Sequence, residues 1–391
     1  MPQKNRLEFR DVLFCQGDRR TKLLKLIDYV LGGVLCAVLK ARPSPRYSLT
    51  PSAIKKVLVI RPGGIGDAVL LIPFVRELKR LCPAAEIDVL AEKRNGEAFS
   101  LIKDSLNEVL SYDDYSLVGL WRKLKSQDYD LVFDTEQWHN LTAILSYLIG
   151  KKTRLGFDTN PRRSKFYSLL VEYSQNDYEA DSFMNLLKAT FPDGERLSAA
   201  GFSLSLPADS LSWARRVVSG CDILAAVGLS AANKQRQWPA ENFRRLIQHL
   251  LGRGYTVVLL GGRKEGAVAR KILQDIEGGR GILNFVNAIG LSQAAAALSQ
   301  CHFYFGMDSG LLHLAALLGI STISLFGPGI QTKWAPRGEK HCIINKNLSC
   351  SPCTLFGYAR NCRDARCINT ITTEEVIAAI NNVIYCRYPH W

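Results

Sequence analysis

The sequence predicts an α/β protein of two Rossmann-like domains facing across a cleft, with a helical extension at the N-terminus. Three observations carry this expectation. Short apolar runs alternate with stretches of helical periodicity, the pattern of a parallel sheet covered on both faces. The alternation stops near 204–209 (Leu-Ser-Leu-Pro-Ala-Asp) and then restarts. Glycine-rich or charged turns follow several strands, at the carboxyl ends where such sheets bind ligands.

Residues 1–53 form the extension. Its apolar stretch from Leu23 to Leu39 is interrupted by Lys25, Asp28 and Gly32-Gly33. That is short for a bilayer span, which needs about 20 apolar residues. Arg19, Arg20 and Lys22 precede it, and Lys40, Arg42 and Arg46 follow. Such a helix suits an anionic membrane surface, and equally suits packing on the first domain. Pro43-Ser44-Pro45 reads as a linker, and the terminus, with Lys4, Glu8, Arg10 and Asp11, does not resemble a secretory leader.

The first domain is expected over 54–206. Lys55 to Ile60 is a buried strand, Ala68 to Leu81 a helix, and Glu86 to Ala91 and Tyr129 to Asp134 two further strands. Leu141 to Ile149 is helical and Arg154 to Phe157 a short strand. In the second domain, 207–391, strands fall at Ile223 to Leu229, Thr256 to Gly261, Phe303 to Met307 and Ile320 to Phe326. Helices fall at about 240–252, to Ile276, at Leu311 to Leu318, and at Glu374 to Tyr385.

The 391 residues are 47% hydrophobic and 22% charged, ordinary for a globular chain able to bury two cores. Fifty basic against 36 acidic residues leave a net charge of +14, which favours an anionic partner. No helix-turn-helix or RNA-binding signature accompanies the charge, so nucleic acid is not the expected partner. Eleven scattered cysteines suggest a reducing compartment, hence the cytoplasm.

Five motifs carry chemistry. Gly63-Gly64-Ile65-Gly66-Asp67 follows the first strand but lacks the dinucleotide spacing, and no ribose-binding acid is evident after the next strand. Its glycines allow a tight turn, and Asp67, at a helix start, is placed to act as a general base or as a simple cap. The loop Leu229 to Pro239 offers Lys234 and Arg236 to a pyrophosphate. In Gly261-Gly262-Arg263-Lys264-Glu265, Glu265 is placed to bind ribose hydroxyls or to cap the following helix. Asp308-Ser309-Gly310 opens a helix whose N–H groups suit a phosphate, with His313 one turn on. Cys350, Cys353, Cys362 and Cys367 have spacing that admits a structural zinc or iron site, free thiols being the alternative.

In order and spacing these motifs resemble glycosyltransferase family nine, the lipopolysaccharide heptosyltransferases, over roughly Lys55 to the C-terminus. The blocks RPGGIGDAVLLIPFVRELK and DSGLLHLAALLG followed by LFGP carry the resemblance. It implies a GT-B fold and inverting transfer of heptose from ADP-heptose to an anionic, lipopolysaccharide-core-like glycolipid at the inner-membrane surface, with no cofactor needed for catalysis. It places the base on Asp67 and the donor contacts on Ser230, Lys234, Arg236, Glu265, Asp308, Ser309, Gly310 and His313. Gly64, Gly66, Arg61 and Arg163, with Arg162 and Lys165, fall on the acceptor side. Two departures stand out: Arg236 occupies the family's lysine position before Trp238-Pro239, and Ala231 and Ala232 replace its hydroxyl residues. Another nucleotide sugar, a protein acceptor, and a non-catalytic membrane-surface binder of the same fold are the alternatives.

Overall fold

The computed structural model describes residues 19–41, 50–150, 153–192, 202–231, 233–274, 276, 281–355, 358–359, 362 and 364–385. The sequence features at Lys4, Glu8, Arg10, Asp11, Arg42, Pro43-Ser44-Pro45, Arg46 and Ala232 lie outside them. The chain divides into two compact units, 1–202 with 355–361, and 203–354 with 362–391.

The first unit is built on six parallel strands: β1 (Lys56–Arg61), β2 (Glu86–Ala91), β3 (Glu108–Ser111), β4 (Leu131–Asp134), β5 (Thr153–Asp158) and β6 (Leu169–Glu172). Their order across the sheet is β3-β2-β1-β4-β5-β6. The central strands are buried and mostly apolar because helices cover both faces, and Leu58, Ile60, Leu90, Tyr129 and Val132 share one core cluster.

The extension is helical. α1 (Arg19–Ile27) runs through a π-helical turn, Asp28–Gly32, into α2 (Gly33–Val38), and lies against the first unit. The β1 strand leads through Gly63 into α3 (Ile65–Leu81). Gly63 has φ +117°, a conformation that L side chains avoid, so the turn requires glycine there. α4 (Asn140–Ile149) follows β4.

The second unit repeats the plan: β7 (Leu224–Gly228), β8 (Thr256–Leu260), β9 (Ile282–Asn284), β10 (Phe303–Met307), β11 (Ser321–Phe326) and β12 (His341–Asn345). Their order is β12-β11-β10-β7-β8-β9, the first sheet's pattern with the same reversal after its opening strand. Fully buried Trp238 packs edge-on against Phe243 and Phe305 and donates its Nε1–H to the Ile371 carbonyl at 2.9 Å. That one side chain ties the loop after β7 to β10 and to the turn before the last helix, α7 (Thr373–Tyr385), counting α5 (Ala240–Gly252) and α6 (Gly310–Leu317) before it.

Arg163 departs from its sequence assignment. It was placed as an acceptor-facing cation, yet its side chain is fully buried. Its guanidinium reaches the Asp134 carboxylate at 3.3 Å and donates to the Glu136 carbonyl, the Tyr167 hydroxyl and Thr159 Oγ1 at 2.8, 2.9 and 3.1 Å. A planar fork with several donors can satisfy a buried carboxylate and its neighbours at once, so a long cation that looks solvated in sequence turns inward. Removing one partner strands the other charge: Arg163→Ala should destabilise the protein by about 3–5 kcal/mol, measured as a shift in the urea unfolding midpoint. A loss under 1 kcal/mol, about what an exposed cation contributes, would show that the pair carries no such weight.

Candidate functional site

In both sheets the strand order reverses beside the opening strand, between β1 and β4 and between β7 and β10. Chains leaving there diverge to opposite faces and open a crevice at the carboxyl ends, the general ligand position of doubly wound sheets. The motif residues collect at these two points.

In the first unit, Asp67 stands in the first turn of α3. Its Oδ2 accepts from the Gly64 N–H at 3.0 Å, and its Oδ1 pairs with Arg61 Nη2 at 3.0 Å. The side chain is 24% exposed, so the held carboxylate still meets solvent. A Cβ on Gly64 would stand 3.0 Å from Oδ2, a close approach that only glycine admits comfortably. Gly66 lies within α3, one residue before the carboxylate.

Arg61 was expected on the acceptor side as a cation, but only 2% of it is exposed. Besides Asp67 it donates to the Thr135 carbonyl at 2.7 Å and lies 3.9 Å from Glu136, so it fixes the end of β1 to the segment after β4. Burial works against its charge, but the surrounding carboxylates Asp67, Glu136 and Glu179 outweigh burial and hold it protonated. An acid does follow β2: Glu92, whose Oε1 accepts from the Gly63 N–H at 2.8 Å and which pairs with Arg94. It is spent on holding the glycine loop, which accounts for the missing dinucleotide signature.

Sequence reasoning also passed over Glu136 and His139. Burial would raise Glu136, but His139, Arg61 and Arg163 outweigh it and keep its carboxyl well below the usual range. Burial would lower His139, and Glu136, with Nδ1 3.5 Å from Oε2, outweighs it and raises the imidazole above its ordinary 6.5. Only the Glu-x-x-His spacing just beyond a strand could have signalled the pair.

In the second unit, Asn233 caps the turn Lys234–Arg236 by accepting the Arg236 N–H at 3.2 Å. Arg236 Nη1 then meets Asp308 Oδ2 at 2.6 Å and the Asp308 carbonyl at 3.4 Å. His313 Nε2 lies 3.9 Å from Asp308 Oδ1. Arg236 Nε is buried with no hydrogen-bond partner among the described residues, an orphan donor that a bound anion would satisfy. Ser309 sits at the start of α6 without capping it, so its hydroxyl and the first N–H groups, including that of Gly310, are not spent on a side-chain cap. A Cβ on Gly329 would overlap the Asp308 carboxylate, so that glycine, not singled out in sequence, keeps the cluster open.

Lys234 is exposed beside this cluster and Ser230 half-buried just past β7. Glu265 takes the plainer role: its Oε2 accepts from the Gly262 N–H at 2.8 Å and closes a cap on its own turn. Burial nonetheless raises its carboxyl above the usual range, against the pull of those backbone bonds.

A model of glycosyltransferase family 9 (heptosyltransferase) matches residues 117–358, more than half of the chain. The chain belongs to this family and is a glycosyltransferase. It is 25% identical over 323 residues to lipopolysaccharide heptosyltransferase 1 of Pseudomonas aeruginosa, covering 76% of this chain and 86% of that protein. The family 9 glycosyltransferase structure from Veillonella parvula superposes with a TM-score of 0.73 at 19% identity, covering 87% of this chain and 99% of that one. The structure of E. coli ADP-heptose lps heptosyltransferase II gives 0.68 at 20%, covering 85% and 99%. The two six-stranded parallel sheets are those of the GT-B fold.

The four cysteines lie on and around the turns after β12. Among the described residues no three His, Cys, Asp or Glu side chains are gathered as an ion would need. Among the described residues Cys350, Cys362 and Cys367 are in no disulfide. Burial, helped by Cys353, Cys350 and Cys362, pushes the Cys367 thiol up to about 11. Its place is in the apolar core with Ile368 and Ile371.

The Glu136–His139 pair gives a pH signature. The depressed Glu136 contributes stability above its unfolded value, near 4.5, that is lost as pH falls. The raised His139 contributes stability that is complete below 6.5 and lost as pH rises through its folded value. Against His139→Gln, the wild-type advantage in urea midpoint should therefore be largest near pH 6 and shrink on alkaline titration. An advantage that grows with pH would contradict the pairing.

Proposed function

We propose that this family 9 glycosyltransferase transfers heptose from ADP-heptose, with inversion, to the anionic core region of a lipopolysaccharide precursor at the cytoplasmic face of the inner membrane. The observation that carries the proposal is Arg236, held by Asp308 with its Nε still open, beside the start of α6. A diphosphate is the ligand that this combination of guanidinium and helix N-terminus suits best.

In the proposed reaction the acceptor hydroxyl gives its proton to Asp67 and its oxygen bonds to the anomeric carbon. The bond from that carbon to the diphosphate oxygen breaks on the opposite face, and ADP departs. A single displacement of this kind inverts the configuration. Arg61 has the positioning role, since it holds Asp67 in one orientation without needing to touch substrate. Arg236, the Ser309 and Gly310 backbone and the exposed Lys234 would take up the charge growing on the leaving group. Asp308, His313, Ser230 and the second oxygen of Glu265 would hold the nucleoside and sugar. The arginine at position 236 and the small Ala231 support a second reading, in which the donor is a different nucleotide sugar.

Asp67→Asn should lower kcat by about 10²–10⁴-fold with ADP affinity unchanged, followed by product formation and by calorimetric titration of ADP. Arg236→Ala should lower kcat/KM by about 10²–10³-fold, near 3 kcal/mol, for loss of one leaving-group contact, with weaker ADP binding. Full turnover in Asp67→Asn would remove the base from the mechanism. Product mass spectrometry with a panel of sugar nucleotides separates the two donor readings: heptose transfer supports the first, and transfer of another sugar alone supports the second.

A further inference from the structure

The extension helix packs a face of small and polar residues on the first unit and leaves an apolar face outside. Its inner face carries Asp28, Gly32, Gly33 and Cys36, all buried. Asp28 accepts from the Asn140 and Leu141 N–H groups at 3.1 and 2.8 Å, and so caps α4 from another element. Asparagine 140 returns a bond, donating Nδ2–H to the Asp28 carbonyl at 3.3 Å. A Cβ on Gly32 would come within 2.9 Å of the Asn140 Cβ, so the backbone approaches α4 as closely as glycine permits. Lys165 Nζ holds the far end through the Leu39 carbonyl at 2.7 Å.

These contacts fix the rotation of the helix about its axis. They leave Leu23, Ile27, Val30, Leu31, Val34 and Val38 pointing outward, 57%, 37%, 50%, 48%, 55% and 70% exposed. The positions recur at three- and four-residue spacing, one continuous stripe along a helix about 30 Å long. Exposed Lys22 and Lys40 stand at its two ends, and Arg19, Arg20, Arg42 and Arg46 bracket it in sequence. No described helix is long and apolar enough to cross a membrane. A pre-formed apolar stripe with cations at both ends matches an anionic bilayer surface: hydrocarbon for the stripe, phosphate for the lysines and arginines.

We propose that the helix over 19–38 is a rigid interfacial anchor that seats this protein on anionic phospholipid through the Leu23–Val38 stripe. The anchor acts without any refolding, because Asp28 already holds it in the docked orientation. The proposal does not depend on the donor or on the catalytic roles given above.

The test uses the full chain with vesicles of phosphatidylcholine alone and of phosphatidylcholine mixed with phosphatidylglycerol. Wild type should co-sediment with the anionic vesicles at least about tenfold more strongly than with neutral ones, and Val30→Asp/Val34→Asp should lose about tenfold or more of that binding. Turnover of the variant with a soluble acceptor and its urea midpoint should remain those of wild type, since both positions face outward. Equal binding of wild type and variant, or equal binding to both lipids, would overturn the proposal. A lipid-free dimer in sedimentation equilibrium that the double substitution dissociates would also overturn it, by assigning the stripe to a second copy of the chain.

Discussion

Parallel strands in the order β3-β2-β1-β4-β5-β6, and again β12-β11-β10-β7-β8-β9, impose the constraint from which the rest follows. The connection after the first strand of each sheet leaves toward one side, and the later strands are added on the other. Backbone cannot fill the gap between them at the carboxyl ends. The chain must place short, polar turns there, and it places its most unusual side chains on those turns. Asp67 follows β1 and Asp308 follows β10 for the same geometric reason.

The two turns solve the same electrostatic problem with the same pair of residue types. In each, an arginine almost removed from water grips an aspartate: Arg61 on Asp67 and Arg236 on Asp308. Burying a guanidinium is unfavourable unless its donors are used, so each arginine fixes where its carboxylate points. The difference lies in their surroundings. Both keep a buried Nε without a partner, but Arg61 commits its two Nη groups to Asp67 and the Thr135 carbonyl, whereas Arg236 holds the residue that precedes the uncapped start of α6. One pair orients a carboxylate, and the other keeps capacity for an anion. The proposed transfer reaction uses that difference, base on one turn and diphosphate seat on the other.

Much of this was legible in the sequence, and what was not has a common physical origin. The strands read correctly, such as Lys56–Arg61, Glu86–Ala91 and Ser321–Phe326, are interior and buried along nearly their whole length, so apolar and β-branched residues dominate them. Within the two six-stranded sheets the strands missed, Glu108–Ser111, Leu169–Glu172, Ile282–Asn284 and His341–Asn345, are the edges, short and only half-buried. Among site residues, Asp67 and Asp308 announce themselves because a small acid after a strand and before a helix has few roles. Long cations do not: Arg61 and Arg163 read as solvent-facing, yet buried carboxylates that are distant in sequence draw both inward.

The central claim is that the Arg236–Asp308 turn and the start of α6 form a diphosphate seat. A crystal structure of the protein soaked with ADP tests it most directly. The account predicts both phosphates at that end of β10, with oxygens within hydrogen-bond distance of the Arg236 guanidinium and the N–H groups of Ser309 and Gly310. ADP bound elsewhere, with Arg236 Nε still unpartnered, would contradict it.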